Sequence, residues 1–177
     1  PHFFGGVATI ILKLFNQIQP DIAIFGEKDY QQLLVIKQLM RDLDLSIQII
    51  AGQIFRENDG LAMSSRNSYL SNSERKIAAN IYRVLRITAK ELQSGVAVSK
   101  AIKNSIDELA SVGIKKIDYF SLRDPITLEP VTNFQKNARL LIAVYVGTTR
   151  LIDNVAVSVN KSNNINSEHE YQLKNNL

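Results

Sequence analysis

Apolar positions set the pattern from the start of the chain. Val7, Ile10, Ile11, Leu14, Phe15 and Ile18 recur three or four residues apart and Pro20 ends the run, which predicts an amphipathic helix over residues 6–19. A short apolar run, 21–25, follows and stops at Gly26, as a buried strand would, and a second helical period covers residues 29–43. Another strand is expected at 46–50. Helix, strand, tight turn, helix, strand is the grammar of a parallel α/β sheet.

Gly52, Asn58, Asp59 and Gly60 then mark irregular chain and a candidate domain boundary. Ser71-Asn72-Ser73-Glu74 has the Ser-x-x-Glu form of a capping box and opens a long helix that runs to about residue 93, before Gly95. A further helix is expected over 99–110. From Lys115 the period changes to two, and strands are expected at 117–122, 139–146 and 151–159, giving a small α+β unit. The tail from Asn160 has too little apolar content to pack and is expected to be disordered.

Composition changes this picture little. The chain is 45% hydrophobic and 21% charged, as an ordinary globular protein is. Lys and Arg exceed Asp and Glu by 21 to 17, but the cations are scattered over predicted helix faces (Lys76, Arg83, Arg86, Lys90) and only 7% of residues are aromatic, so no nucleic-acid surface is expected. With no cysteine the chain has no disulfide, thiolate metal site or cysteine nucleophile. No apolar run reaches the roughly 18 residues of a membrane span. A cytoplasmic protein without membrane partners is the expectation. Pro1 stands where a Met would start a chain, which suggests that sequence upstream has been removed.

Chemistry concentrates in two places. In Gly26-Glu27-Lys28-Asp29 a strand gives way to a helix N-terminus, where unpaired N–H groups, a glycine and the Lys28 ammonium suit a phosphate. Gln32 lies one turn beyond Lys28 and can lean toward the same opening, where an amide suits a hydroxy acid. In Met63-Ser64-Ser65-Arg66 two hydroxyls and a guanidinium follow one another in a predicted loop, a set that can wrap a triphosphate and neutralise a departing pyrophosphate. Taken singly, each segment is equally open to a plain reading: Asp29 caps a helix while Lys28 points into water, and the serines cap another. Met40 and Tyr82 read as core residues. His2 and His169, the two histidines, stand at the very start and in the tail expected to be disordered, so no catalytic or metal-binding histidine cluster is expected.

Read together, residues 25–33 (Phe-Gly-Glu-Lys-Asp-Tyr-Gln-Gln-Leu) and 59–70 (Asp-Gly-Leu-Ala-Met-Ser-Ser-Arg-Asn-Ser-Tyr-Leu) resemble the signature blocks of the pantothenate synthetase (pantoate–β-alanine ligase) family. The segments Phe4-Gly5-Gly6-Val7-Ala8-Thr9 and Arg150-Leu151-Ile152-Asp153-Asn154 extend the likeness to residues 1–159. The resemblance implies the nucleotidyltransferase superfamily: part of a Rossmann-like ATP- and pantoate-binding domain over 1–57, then a C-terminal lid domain over 58–159 with a three-stranded antiparallel sheet. It implies a two-step ligation in the parent protein, with ATP as substrate together with Mg2+, pantoate and β-alanine as partners, and a homodimer. Gly26, Glu27, Lys28, Asp29, Phe55, Met63, Ser64, Ser65 and Arg66 would bind ATP and Gln32 pantoate, with Lys28, Ser64, Ser65 and Arg66 catalytic. Phe55 replaces the small aliphatic residue usual in the family, so its backbone is the expected contact. The family's N-terminal His-x-Gly-His block has no counterpart here, and the chain alone is expected to lack ligase activity. Another nucleotidyltransferase acting on a different acid, or a non-catalytic nucleotide-binding module, are the competing readings. Some family members carry a fused cytidylate kinase; nothing in this sequence resembles one.

Overall fold

A computed structural model describes residues 2–159. The tail expected to be disordered, and His169 within it, lie outside the described residues, as does the side chain of His2. Helix α1 (His2–Ile18) leads into strand β1 (Ile22–Gly26), a 3-10 turn (Glu27–Asp29) and helix α2 (Tyr30–Asp42), and strand β2 (Gln48–Gly52) pairs parallel with β1. Ile22 lies opposite Gln48 and Gly26 opposite Gly52, so the glycines end both strands side by side. The 46–50 expectation thus shifts by two residues, because pairing with β1 rather than the apolar run fixes the register.

Phe15, Ile36 and Met40 form the buried centre of this first unit, flanked by Ile11, Phe25 and Ile49. Only one face of the sheet is covered. Ile22, Ile24 and Ile50 on the other face are 51%, 70% and 39% exposed, and Ile10, Leu14 and Ile18 of α1 also face outward although they belong to its apolar period.

The second unit is built from helices α3 (Asn72–Ala78), α4 (Asn80–Gln93) and α5 (Val98–Ser111) and strands β3 (Lys116–Arg123), β4 (Ala138–Val146) and β5 (Thr149–Val157). The sheet is antiparallel in the order β3-β4-β5. Ile81, Leu85, Leu109, Leu140, Ile142 and Val144 are among its fully buried residues, where α4 and α5 cover one sheet face. A parallel pair followed by a separate three-stranded antiparallel sheet is the α/β class read from the sequence.

Two expectations change. The single helix from the capping box is two helices that meet at Ala79, where the Asn80 amide donates to the carbonyls of Lys76 (3.3 Å) and Ile77 (3.1 Å) and competes with the helical ladder. Tyr82 is half-buried rather than core, and its ring faces the Arg56 guanidinium at 3.7 Å.

Candidate active site

The first segment stands where β1 ends. Gly26 has φ −67° and ψ 134°, an extended conformation open to any residue, so its use here is the open space beside its Cα rather than a special backbone angle. The chain then tightens into the 3-10 turn. Asp29 precedes α2 without a side-chain capping bond, and Lys28 is not directed into solvent: its side chain is 17% exposed, with Nζ 3.9 Å from the Asp29 carboxylate. Gln32 is half-buried on the first turn of α2.

The second segment begins in a small hairpin. Arg56 bridges Ala62, the Met63 N–H donates to the Phe55 carbonyl (2.9 Å), and Glu57 and Leu61 close the tip. Leu61 and Ala62 are buried and anchor the loop, whereas Phe55 is 77% and Met63 49% exposed. Ser64 then starts a 3-10 helix (Ser65–Tyr69) by accepting the Arg66 N–H on Oγ at 3.2 Å, and Asn67 donates back to the Ala62 carbonyl at 3.1 Å. This leaves Ser65 and Arg66 exposed at the rim.

Strand β5 joins the segments. Lys28 from the first, Ser64, Arg66 and Asn67 from the second, and Arg150 and Asp153 from β5 line one small cavity. Three cations therefore share it, and the carboxylates nearby are already engaged. Asp153, its side chain 2% exposed, takes Arg56 in a forked pair at 2.7 and 2.9 Å, and Asp118 takes Arg150 at 2.6 and 3.0 Å. Tyr119 sits under Arg150, and burial pushes its hydroxyl above the ordinary range. Arg150 is balanced by Asp118, while Lys28 and Arg66 leave the cavity a positive side that suits an anion.

Of the residues predicted from sequence, Gly26, Glu27, Asp29, Gln32, Phe55, Met63 and Ser65 stand outside that cavity. Glu27 is turned away into a tie with the second unit. Its carboxylate accepts from Arg139 at 3.2 Å, and Arg139 stacks 3.9 Å over the Tyr30 ring while Tyr30 donates to the Pro125 carbonyl at 2.7 Å. Sequence reasoning missed Arg56, Arg139, Asp153 and Asn154 as parts of the site. One signal was present: Asp153-Asn154 interrupts an apolar strand with two adjacent polar residues.

The pantoate-beta-alanine ligase family model matches residues 1–156. This chain belongs to that family. A pantothenate synthetase of Rhodospirillum rubrum is 50% identical over 158 residues, which cover 89% of this chain and 56% of the relative, and one of Bradyrhizobium sp. is 49% identical with the same coverage. Among solved structures, the pantothenate synthetase of Thermus thermophilus superposes with a TM-score of 0.82 at 40% identity, covering 86% of this chain and 55% of that one. The Francisella tularensis pantoate-beta-alanine ligase, complexed with beta-gamma ATP and beta-alanine, gives 0.66 at 32% identity, covering 88% and 51%. This ligase-family chain thus spans a little over half the length of the relatives it matches.

Proposed function

We propose that this chain forms the ATP-facing wall of a pantoate–β-alanine ligase site. The observation that carries the reading is that Lys28, Ser64 and Arg66, from two segments far apart in sequence, line one cation-rich cavity. In the whole protein the pantoate carboxylate attacks the α-phosphorus of ATP and pyrophosphate leaves. The β-alanine amine then attacks the acyl carbon of the pantoyl adenylate, AMP departs with the bonding electron pair, and the new ammonium loses a proton. Adenylation is needed because a carboxylate is a poor electrophile and a mixed anhydride with AMP is a good one.

Lys28 and Arg66 neutralise the charge that grows on the leaving pyrophosphate. The hydroxyls of Ser64 and Ser65 donate to phosphate oxygens, Gly26 and the Phe55 backbone lie along the nucleotide, and Gln32 takes the pantoate hydroxyls. Among the described residues no group of three or more acidic or histidine side chains is placed to hold a metal. They make no cage for Mg2+, and no step assigned to them runs through one. A homodimer and a cytoplasmic location belong to the same proposal for the whole protein; among the described residues no helix is long and apolar enough to cross a membrane.

The test has two arms. The 177-residue chain is expected to bind ATP in equilibrium dialysis and to bind it measurably more weakly in Lys28→Ala, while releasing no pyrophosphate from ATP and pantoate. ATP affinity that neither Lys28→Ala nor Arg66→Ala lowers would remove the basis of the assignment.

A further inference from the structure

Two neighbouring residues of β5 each reach one ligand segment. Asn154 is 2% exposed, and its Nδ2 donates to the carbonyls of Glu27 at 2.9 Å and Lys28 at 3.0 Å. Those carbonyls belong to the short 3-10 turn, which has few internal bonds and no side-chain cap at Asp29. Nothing else described for the turn bonds its backbone from the second unit. Asp153 acts on the other segment through Arg56, whose guanidinium is forked onto the carboxylate and donates as well to the Gly60 carbonyl at 3.0 Å. Arg56 is also the residue that bridges Ala62, one step before Met63 and Ser64. Asp153 Oδ1 accepts the Asn154 backbone N–H at 2.7 Å, which fixes the Asp153 carboxylate against the strand backbone beside Asn154.

The cost of this arrangement points to its purpose. Asn154 Oδ1 is buried without a partner, and an amide half satisfied in a strand interior is less stable than an apolar side chain packed in the same space. A strand that only needed to pack would hold a residue like its neighbours Ile152 and Val155. What Asn154 contributes instead is a fixed position for two backbone carbonyls, and through them for Lys28. A site that stabilises charge by preorganised cations depends on such placement, since displacement by about 1 Å can cost on the order of a hundredfold in rate.

We propose that Asp153 and Asn154 are the positioning pair of this site: Asn154 fixes the turn that presents Lys28, Asp153 fixes the loop that presents Ser64 and Arg66, and their adjacency on β5 sets the distance between the two. This rests on reading those segments as the triphosphate-binding wall.

The experiment combines segment-resolved amide hydrogen exchange with ATP affinity, both on the 177-residue chain. Asn154→Ala is expected to speed exchange in residues 27–30 by about tenfold or more, as the loss of two buried hydrogen bonds implies, and to leave residues 61–67 protected. Asp153→Asn is expected to do the reverse. Each weakens ATP binding by about tenfold, and Asn154→Ala has little further effect in a Lys28→Ala background, because it acts through that residue. Where either variant fails to fold, Asn154→Ser, which keeps one donor, and Arg56→Lys, which keeps the charge without the fork, give the same readings in milder form. Exchange that rises evenly along the chain in both variants, or an Asn154→Ala loss that is undiminished in the Lys28→Ala background, would overturn the proposal. If the wild-type chain binds no ATP, the functional reading fails by itself, and the segment-specific exchange still decides whether the pair positions the two segments.

Discussion

At Arg56 one guanidinium lies on the Tyr82 ring at 3.7 Å, forks onto a carboxylate that is almost fully buried and donates to the Gly60 carbonyl. Removing it strands the Asp153 charge in the interior, so Arg56→Ala is expected to cost about 3–5 kcal/mol of unfolding free energy, measured by urea titration. Asp153→Asn should be milder, since it removes the charge along with the fork. Asp124 gives a pH signature. The N–H groups of Thr127 and Ile126 and the Lys136 ammonium hold its carboxyl well below the usual aspartate range. The unfolded chain therefore takes up the proton first. The stabilisation is full above the unfolded pKa of about 4 and is lost as pH falls through the lower folded value. Thermal melts between neutral pH and strongly acidic pH should show a steeper acid loss in wild type than in Asp124→Asn; equal slopes would mean that the turn contributes nothing. Residues of this kind explain what the sequence could not disclose. Lys28, Ser64 and Arg66, which line one cavity, could be nominated from sequence because each sits in a contiguous motif whose chemistry is local. Arg56, Arg139 and Asn154 have partners about a hundred positions away, and apart from the polar Asp153-Asn154 step in an apolar strand nothing local marks them.

Period and capping carried most of the element boundaries: α1, α2, α5 and all five strands lie within a few residues of the apolar pattern. The capping box at Ser71 is present in both directions, with Ser71 accepting from Glu74 and the Glu74 carboxylate accepting the Ser71 N–H at 2.9 Å. What periodicity could not show is the break at Ala79, because the helical period runs on through it and only the Asn80 back-bond marks it. Nor could it show that the cap of α3 is packed from outside. Gly147, in the turn between β4 and β5 at φ 57°, stands where a Cβ would overlap the Glu74 carboxylate unless that side chain moved. Gly147→Ala should strain the turn and displace Glu74 from its cap together, at about 1–3 kcal/mol. Circular dichroism melts would register the loss, and an unchanged melting temperature would mean that Glu74 moves aside freely.

Across the whole molecule the two sheets differ in how they are covered. The antiparallel sheet has helices on one face and the Glu27–Asp29 turn held against β5, whereas the parallel pair has α1 and α2 on one face and the bare row Ile22, Ile24 and Ile50 on the other. Parallel strands are ordinarily buried on both sides. The apolar run 21–25 reads as a buried strand, yet Ile22 and Ile24 are exposed, as is Ile50 beside them, in a chain that spans a little over half the length of its relatives. The 177-residue chain is accordingly expected to enhance the fluorescence of an apolar dye such as ANS, and Ile24→Lys to reduce that signal without lowering the melting temperature. A dye signal that Ile24→Lys leaves intact would place the apolar surface elsewhere.

Because β5 carries the residues that hold both the Glu27–Asp29 turn and the Arg56 hairpin, the order of synthesis bears on when the two are joined. Asp153 and Asn154 leave the ribosome about a hundred residues after Lys28 and the Met63 to Arg66 loop that they hold. Contacts of such sequence separation close slowly, after local helices and hairpins have formed. The parallel pair and α3 to α5 can therefore be in place before the turn carrying Lys28 and the loop carrying Ser64 are joined, and on the proposed reading a wall for nucleotide would form only when β5 docks.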